Sequence, residues 1–110
     1  MHHSVDQEKN IQIKDGHRSI LVSPDDILYV KADNIYIEVY TKTKKIVSRQ
    51  TLSAFMEKLP TAQFIRVHRS YLINRNNVDS ISRNKLEVGG ATIPISRSFK
   101  GDLQSVFGVI

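Results

Sequence analysis

At 110 residues, 40% hydrophobic and 25% charged, the chain has the length and composition of one folded globular domain with one core. It contains no cysteine, which excludes a disulfide framework, a thiolate metal site and a cysteine nucleophile, and which suits a reducing, cytoplasmic setting. Apolar runs such as Ile27 to Val30 fall far short of the ~20 residues a bilayer span needs and no signal-peptide pattern opens the chain, while the net charge of +5 points to an anionic partner.

Residues 1–10 are polar and read as a flexible lead-in, a tag or a linker, leaving a single domain over 11–110. Ile11 and Ile13 alternate with polar residues, and Asp15-Gly16 marks a hairpin turn before the strand Ser19 to Val22. Ser23-Pro24-Asp25-Asp26 breaks the pattern, and Ile27 to Ala32 is a short apolar, β-branched and aromatic run expected as a buried strand. After a turn at Asp33-Asn34, the segment Ile35 to Thr41 has the period of two of a half-buried strand. Ile35, Ile37, Val39 and Thr41 fall on one face, and Tyr36, Glu38 and Tyr40 on the other. A further strand is expected near Lys45 to Arg49.

Leu52, Phe55, Met56 and Leu59 recur at helical spacing, so Thr51 to Leu59 reads as an amphipathic helix capped by Thr51 and stopped by Pro60. Phe64 to Arg69, Tyr71 to Asn74, Val78 to Arg83, Lys85 to Val88 and Thr92 to Ile95 then form a run of short strands expected as a meander, with Asn76-Asn77 and Gly89-Gly90 as turns. Phe99, Leu103, Val106 and Phe107 predict a closing helix with Ser96 or Ser98 as its cap. Many short strands and two short helices make a mostly β fold of small antiparallel sheets, since parallel strands need long crossovers.

No catalytic constellation emerges. His17 and His68 have no serine or carboxylate at a suggestive spacing, the histidines lack HxxxH spacing for a metal, and Gly89-Gly90 lacks the lysine of a phosphate loop. No enzyme activity, cofactor or metal is therefore expected. What remains is a set of polar and basic side chains at breaks between strands: Asn34, Arg69, Asn74, Arg75 and Arg97. Between Phe64 and Lys100 the basic residues Arg66, Arg69, Arg75, Arg83, Lys85, Arg97 and Lys100 are opposed only by Asp79 and Glu87, which accounts for the whole net charge of +5. Arginine can donate two bonds to guanine and asparagine can exchange two with adenine in the major groove, so these residue types fit nucleic acid. Each taken alone is also an ordinary turn former or solvated charge.

Phe64-Ile65-Arg66-Val67-His68-Arg69-Ser70-Tyr71-Leu72-Ile73-Asn74 resembles the signature stretch of the LytTR DNA-binding domain, an output module of bacterial response regulators. Ile93 to Lys100 resembles that family's second signature, and Ile27 to Tyr36 its opening strand-turn-strand. The resemblance implies loops that enter successive major grooves on one side of a duplex. It implies base-reading roles for Asn34, Arg69 and Arg97, and a place near the phosphate backbone for Lys100. Arg66 and His68 share a strand face and either brace the loop or touch DNA, and Arg75 is grouped with these supporting residues. The implied function is sequence-specific binding of double-stranded promoter DNA at paired direct repeats, with a homodimer forming on DNA and a receiver or other sensor domain N-terminal to the module. Two alternatives stand beside it. One is a protein-interaction module for an acidic partner. The other is a single-stranded nucleic-acid binder using Tyr36 and Tyr40.

Overall fold

The computed structural model describes residues 10–108, and the expectations for residues 1–9 lie outside them. Ten strands and two α-helices follow one another as β1 (Ile11–Asp15), β2 (Arg18–Val22), β3 (Ile27–Asp33), β4 (Tyr36–Thr41), β5 (Lys45–Ser48), α1 (Leu52–Met56), β6 (Phe64–His68), β7 (Tyr71–Asn74), β8 (Val78–Ile81), β9 (Lys85–Val88), β10 (Ala91–Pro94) and α2 (Lys100–Phe107). The strands form three antiparallel sheets: a hairpin β1-β2, a central sheet in the order β5-β4-β3-β7-β6, and a small sheet β10-β9-β8. The mostly β class with small antiparallel sheets and two short helices is the one the sequence predicts.

Two cores, not one, hold these layers together. The central sheet buries side chains on both faces, because alternate residues of β6 and β7 are apolar in both directions. Phe64 and Leu72 join Val30, Ile37 and Val39 on one face, where the β1-β2 hairpin contributes Ile13 and Val22 and the α1 segment contributes Leu52, Phe55 and Leu59. Ile65, Val67 and Ile73 turn to the other face and meet Leu86, Val88 and Ile93 of the small sheet and Leu103 of α2. Each of these fully buried aliphatic or aromatic side chains contributes about 1.5–3 kcal/mol of transfer free energy.

Several local expectations shift. The first hairpin turns at Gly16-His17, since Asp15 pairs with Arg18, and Gly16 takes the positive φ of 64°. The α1 helix is only five residues long and tightens into turns after Met56, the Lys58 amide donating to the Phe55 carbonyl at 3.0 Å and the Leu59 amide to the Met56 carbonyl at 3.1 Å, before Pro60 ends the segment. Leu59 is buried all the same. Thr51 caps the helix as expected, its Oγ1 accepting from the Ala54 amide at 3.0 Å. Ile35 lies outside β4 in the turn and is 48% exposed. The meander is confined to β8-β9-β10, whereas β7 pairs with β3 and draws the β6-β7 hairpin into the central sheet. Its β9-β10 turn favours glycine at Gly89, where the φ is positive at 56°; a Cβ there would also have to displace the tip of the Leu28 side chain.

Candidate nucleic-acid interface

The order of the central sheet decides which turns become neighbours. The Ala32 amide donates to the Ser70 carbonyl at 2.8 Å, so the end of β3 lies beside the turn between β6 and β7. The Ser96 amide donates to the Val67 carbonyl at 2.9 Å, which brings the segment after β10 alongside the end of β6. Ile37 pairs with Ser48, and this register sets Arg49 level with Tyr36. Four connections therefore gather at one end of the sheet: the two-residue turn Asn34-Ile35, the turn Arg69-Ser70, the segment from Arg49 into α1, and the 3-10 turn Arg97–Phe99 before α2.

Asn34, Arg49, Arg69 and Arg97 are all exposed. No hydrogen bond or ion pair to another described residue engages their side chains; the ion pairs among described residues are Arg18–Asp15 and Lys42–Asp26, both elsewhere. Asn34 holds a φ of 62°, the only positive φ among the described non-glycine residues, at the first central position of a two-residue hairpin turn. Glycine is usual at that position, and asparagine is among the few other residues that tolerate it. The backbone strain and the open amide coincide at one residue.

Behind this rim the side chains are engaged. The Arg66 guanidinium spans the β6-β7 turn, donating through Nε to the His68 carbonyl at 3.1 Å, through one terminal nitrogen to the Arg69 carbonyl, and through the other to Ser53 Oγ at 3.3 Å. It thereby ties the loop that carries Arg69 to the first turn of α1. Partial burial pulls its pKa below the ordinary value, and the group stays cationic at neutral pH. His68 Nδ1 accepts from the Ser70 amide at 3.0 Å, and its ring stands edge-on to Tyr71 at 5.6 Å. Lys100 Nζ donates to Asn84 Oδ1 at 3.1 Å and links α2 to the β8-β9 turn.

Other sequence-derived candidates go elsewhere. Asn74 is fully buried at the opposite end of β7, where Nδ2 donates to the Ile27 carbonyl at 2.9 Å and Oδ1 accepts from the Asn76 amide at 3.0 Å. Arg75 follows it there, its backbone amide bonded to the Gln63 carbonyl and its guanidinium 3.4 Å from the Ala62 carbonyl. Ser96 and Ser98 make no side-chain cap, and their hydroxyls lie 3.2 Å apart. Phe99 is half-buried, and Leu103 is the buried anchor of α2. Tyr40 stacks on Tyr29 at 4.5 Å and donates to Glu38 at 2.7 Å, so one face of its ring and its hydroxyl are occupied. Arg49 was not singled out by sequence reasoning. The β4-β5 hairpin register could have found it, because it places Arg49 beside the strand that leaves the Asn34 turn. Among the described residues no cluster of three or more His, Asp or Glu could hold a metal, and no helix is long and apolar enough to cross a membrane.

Comparison with known proteins agrees with this architecture. The profile of the LytTr DNA-binding domain matches residues 17–108. The sensory transduction protein LytT of Enterococcus faecalis is 30% identical over 105 residues, covering 90% of this chain and 43% of that protein. The transcriptional regulatory protein YpdB of Escherichia coli K12 is 31% identical over 75 residues, covering 68% of this chain and 31% of the relative. The chain thus spans less than half the length of these curated relatives. A solved LytTr DNA-binding domain of a putative methyl-accepting/DNA response regulator from Bacillus cereus shares the fold, with a TM-score of 0.79 at 23% identity over 92% of this chain and 98% of that one.

Proposed function

The chain belongs to the LytTR DNA-binding domain family, and on that premise we propose that it binds double-stranded promoter DNA sequence-specifically and regulates transcription as the output domain of a two-component response regulator. The observation that carries this reading is the gathering of Asn34, Arg69 and Arg97, exposed and unengaged, on three separate connections at one end of a stiff sheet. Unengaged donors on a rigid frame lose little freedom when a duplex captures them. Arg69 and Arg97 have the fork that matches guanine O6 and N7, and Asn34 the amide that matches adenine N6 and N7. Arg49 and Lys100 meet phosphates flanking the reading turns, while Arg66 and His68 hold the β6-β7 loop in shape. Arg75, at the other end, supports its own loop.

With so few base-reading side chains, one module discriminates weakly, which favours paired direct repeats and a homodimer assembled on DNA. The relatives run more than twice this chain's length, which leaves room for the receiver or other sensor domain that this reading pairs with the module.

Selection of bound duplexes from a random pool, followed by titration, tests the proposal. Affinity is expected to fall steeply with salt for every duplex. Arg69→Ala and Arg97→Ala are each expected to cost about 1–3 kcal/mol at their own base pair and little on unrelated sequence. Equal weakening on all sequences would reduce both arginines to phosphate contacts. Better competition by single strands or by an acidic peptide than by duplex would replace the proposal with one of the two alternatives.

A further inference from the structure

Beside Asn34, the same turn carries a residue that turn chemistry does not explain. Two-residue hairpin turns favour Gly, Asn, Asp and Ser, whereas the second central position here is Ile35, a β-branched apolar side chain 48% exposed and absent from both cores. One exposed apolar residue would be unremarked on any surface. Of the four large hydrophobics exposed among the described residues, however, Ile35 and Tyr36 are adjacent and sit at the end of the sheet that carries the unengaged arginines, with Leu21 and Val47 in other strands. The Asn34-Ile35 turn thus presents a bidentate amide and a branched hydrocarbon side by side, on a hairpin fixed by the Asp33–Tyr36 pair.

The major-groove edge of DNA has one apolar group, the C5-methyl of thymine, and adenine offers the acceptor and donor that an asparagine amide matches. We propose that Ile35 is a specificity-determining residue that packs against a thymine methyl next to the adenine read by Asn34, so that this turn selects A·T pairs while the arginines select G·C. The inference rests on the duplex-binding reading above and goes further, since a basic rim alone assigns Ile35 no role.

Deoxyuridine substitution isolates the methyl, because uracil pairs as thymine does and differs only at C5. A duplex recovered by selection from a random pool is remade with each thymine replaced in turn by deoxyuridine, and each version is titrated with the wild-type chain, Ile35→Ala and Ile35→Val. The wild type is expected to bind roughly fourfold more weakly at one or two replaced positions, the factor for losing one buried methyl-sized group. Ile35→Ala is expected to bind the thymine and uracil versions alike at those positions, with Ile35→Val in between. Ile35 lies outside both cores, so these variants are expected to keep the wild-type unfolding midpoint. The inference is overturned if no thymine shows methyl dependence, or if Ile35→Ala keeps the wild-type dependence at every position. Both results leave sequence-specific duplex binding intact. A chain that prefers no duplex over any other overturns the parent reading as well, and the selection step reveals that before any substitution is made.

Discussion

The two ends of the central sheet use the same residue types for opposite purposes. At one end, Asn74 is fully buried and bonded through both amide atoms, Gln63 donates to Asp25, and Lys42 faces Asp26. At the other, Asn34, Arg69 and Arg97 stand exposed with no partner among the described residues. An asparagine whose amide is consumed inside the fold specifies the chain's own shape, and one whose amide is open is available to specify something else. The difference lies in what surrounds each residue. Ile27 and Pro24 carbonyls lie within reach of Asn74, whereas the Asn34 turn projects beyond the last pair of its hairpin.

Substitution at the closed end is expected to have the largest effect and to fall on stability. Asn74→Ala would leave the Ile27 carbonyl and the Asn76 amide without their partner, at a cost of about 2–3 kcal/mol in denaturant unfolding. Among molecules that remain folded, the ranking of bound duplexes is expected to stay that of the wild type. A changed ranking would break the division between the two ends.

Arg66 sharpens the division, because it stands behind the open end yet is engaged. Arg66→Lys keeps the charge but cannot span the His68 and Arg69 carbonyls and Ser53 together. A loss of about 1 kcal/mol in stability is expected. Discrimination at the base pair assigned to Arg69 should fall by more than at the one assigned to Arg97. Equal loss at both would show that Arg66 contributes only charge.

At Asn34 the backbone complicates the obvious substitution. Asn34→Ala forces a side chain without local hydrogen bonding into a φ of 62°, at about 1–2 kcal/mol, so its weaker binding would confound strain with loss of the amide. Asn34→Gly accepts the conformation and removes only the amide. It is expected to fold with nearly unchanged stability, within about 0.5 kcal/mol, and to lose preference for adenine at one position. Unchanged preference would take Asn34 out of the reading set.

How much of this was legible in the sequence follows from the range of the interactions involved. Strands, turns and the Thr51 cap rest on neighbours a few residues apart, and they could be read directly. That Asn34, Arg69 and Arg97 belong to one end came from family resemblance, because the bonds that gather them, Ala32 to Ser70 and Ser96 to Val67, join residues 38 and 29 positions apart in the chain. The same range hid the burial of Asn74, which depends on Ile27, and the role of Arg49, which depends on strand register. The second core was missed for a related reason. An apolar pair such as Phe64-Ile65 signals a strand covered on both faces only when it is known that a second sheet lies above it.

Tyr40, the penultimate residue of β4 and paired with Tyr29 and Lys45, offers the mildest probe and a control on the closed side, at the other end of its strand from the Asn34 turn. Its hydrogen bond to Glu38, burial and the nearby negative charge push its pKa from 10.0 up to about 12. Below pH about 10 the phenol is protonated in both the folded and the unfolded chain, and the stabilisation is fully present. As pH rises through 10 to about 12 the unfolded chain releases the proton first, so that part of the stability is lost across this window. Other tyrosines and lysines titrate in the same range, which makes the difference between wild type and Tyr40→Phe the informative quantity. The wild type's advantage in unfolding midpoint is expected to shrink over that window, with the ranking of bound duplexes at neutral pH unchanged. An advantage that grows with pH would reverse the assigned direction, and a changed ranking would show that the Tyr29–Tyr40 stack on the closed side takes part in reading DNA.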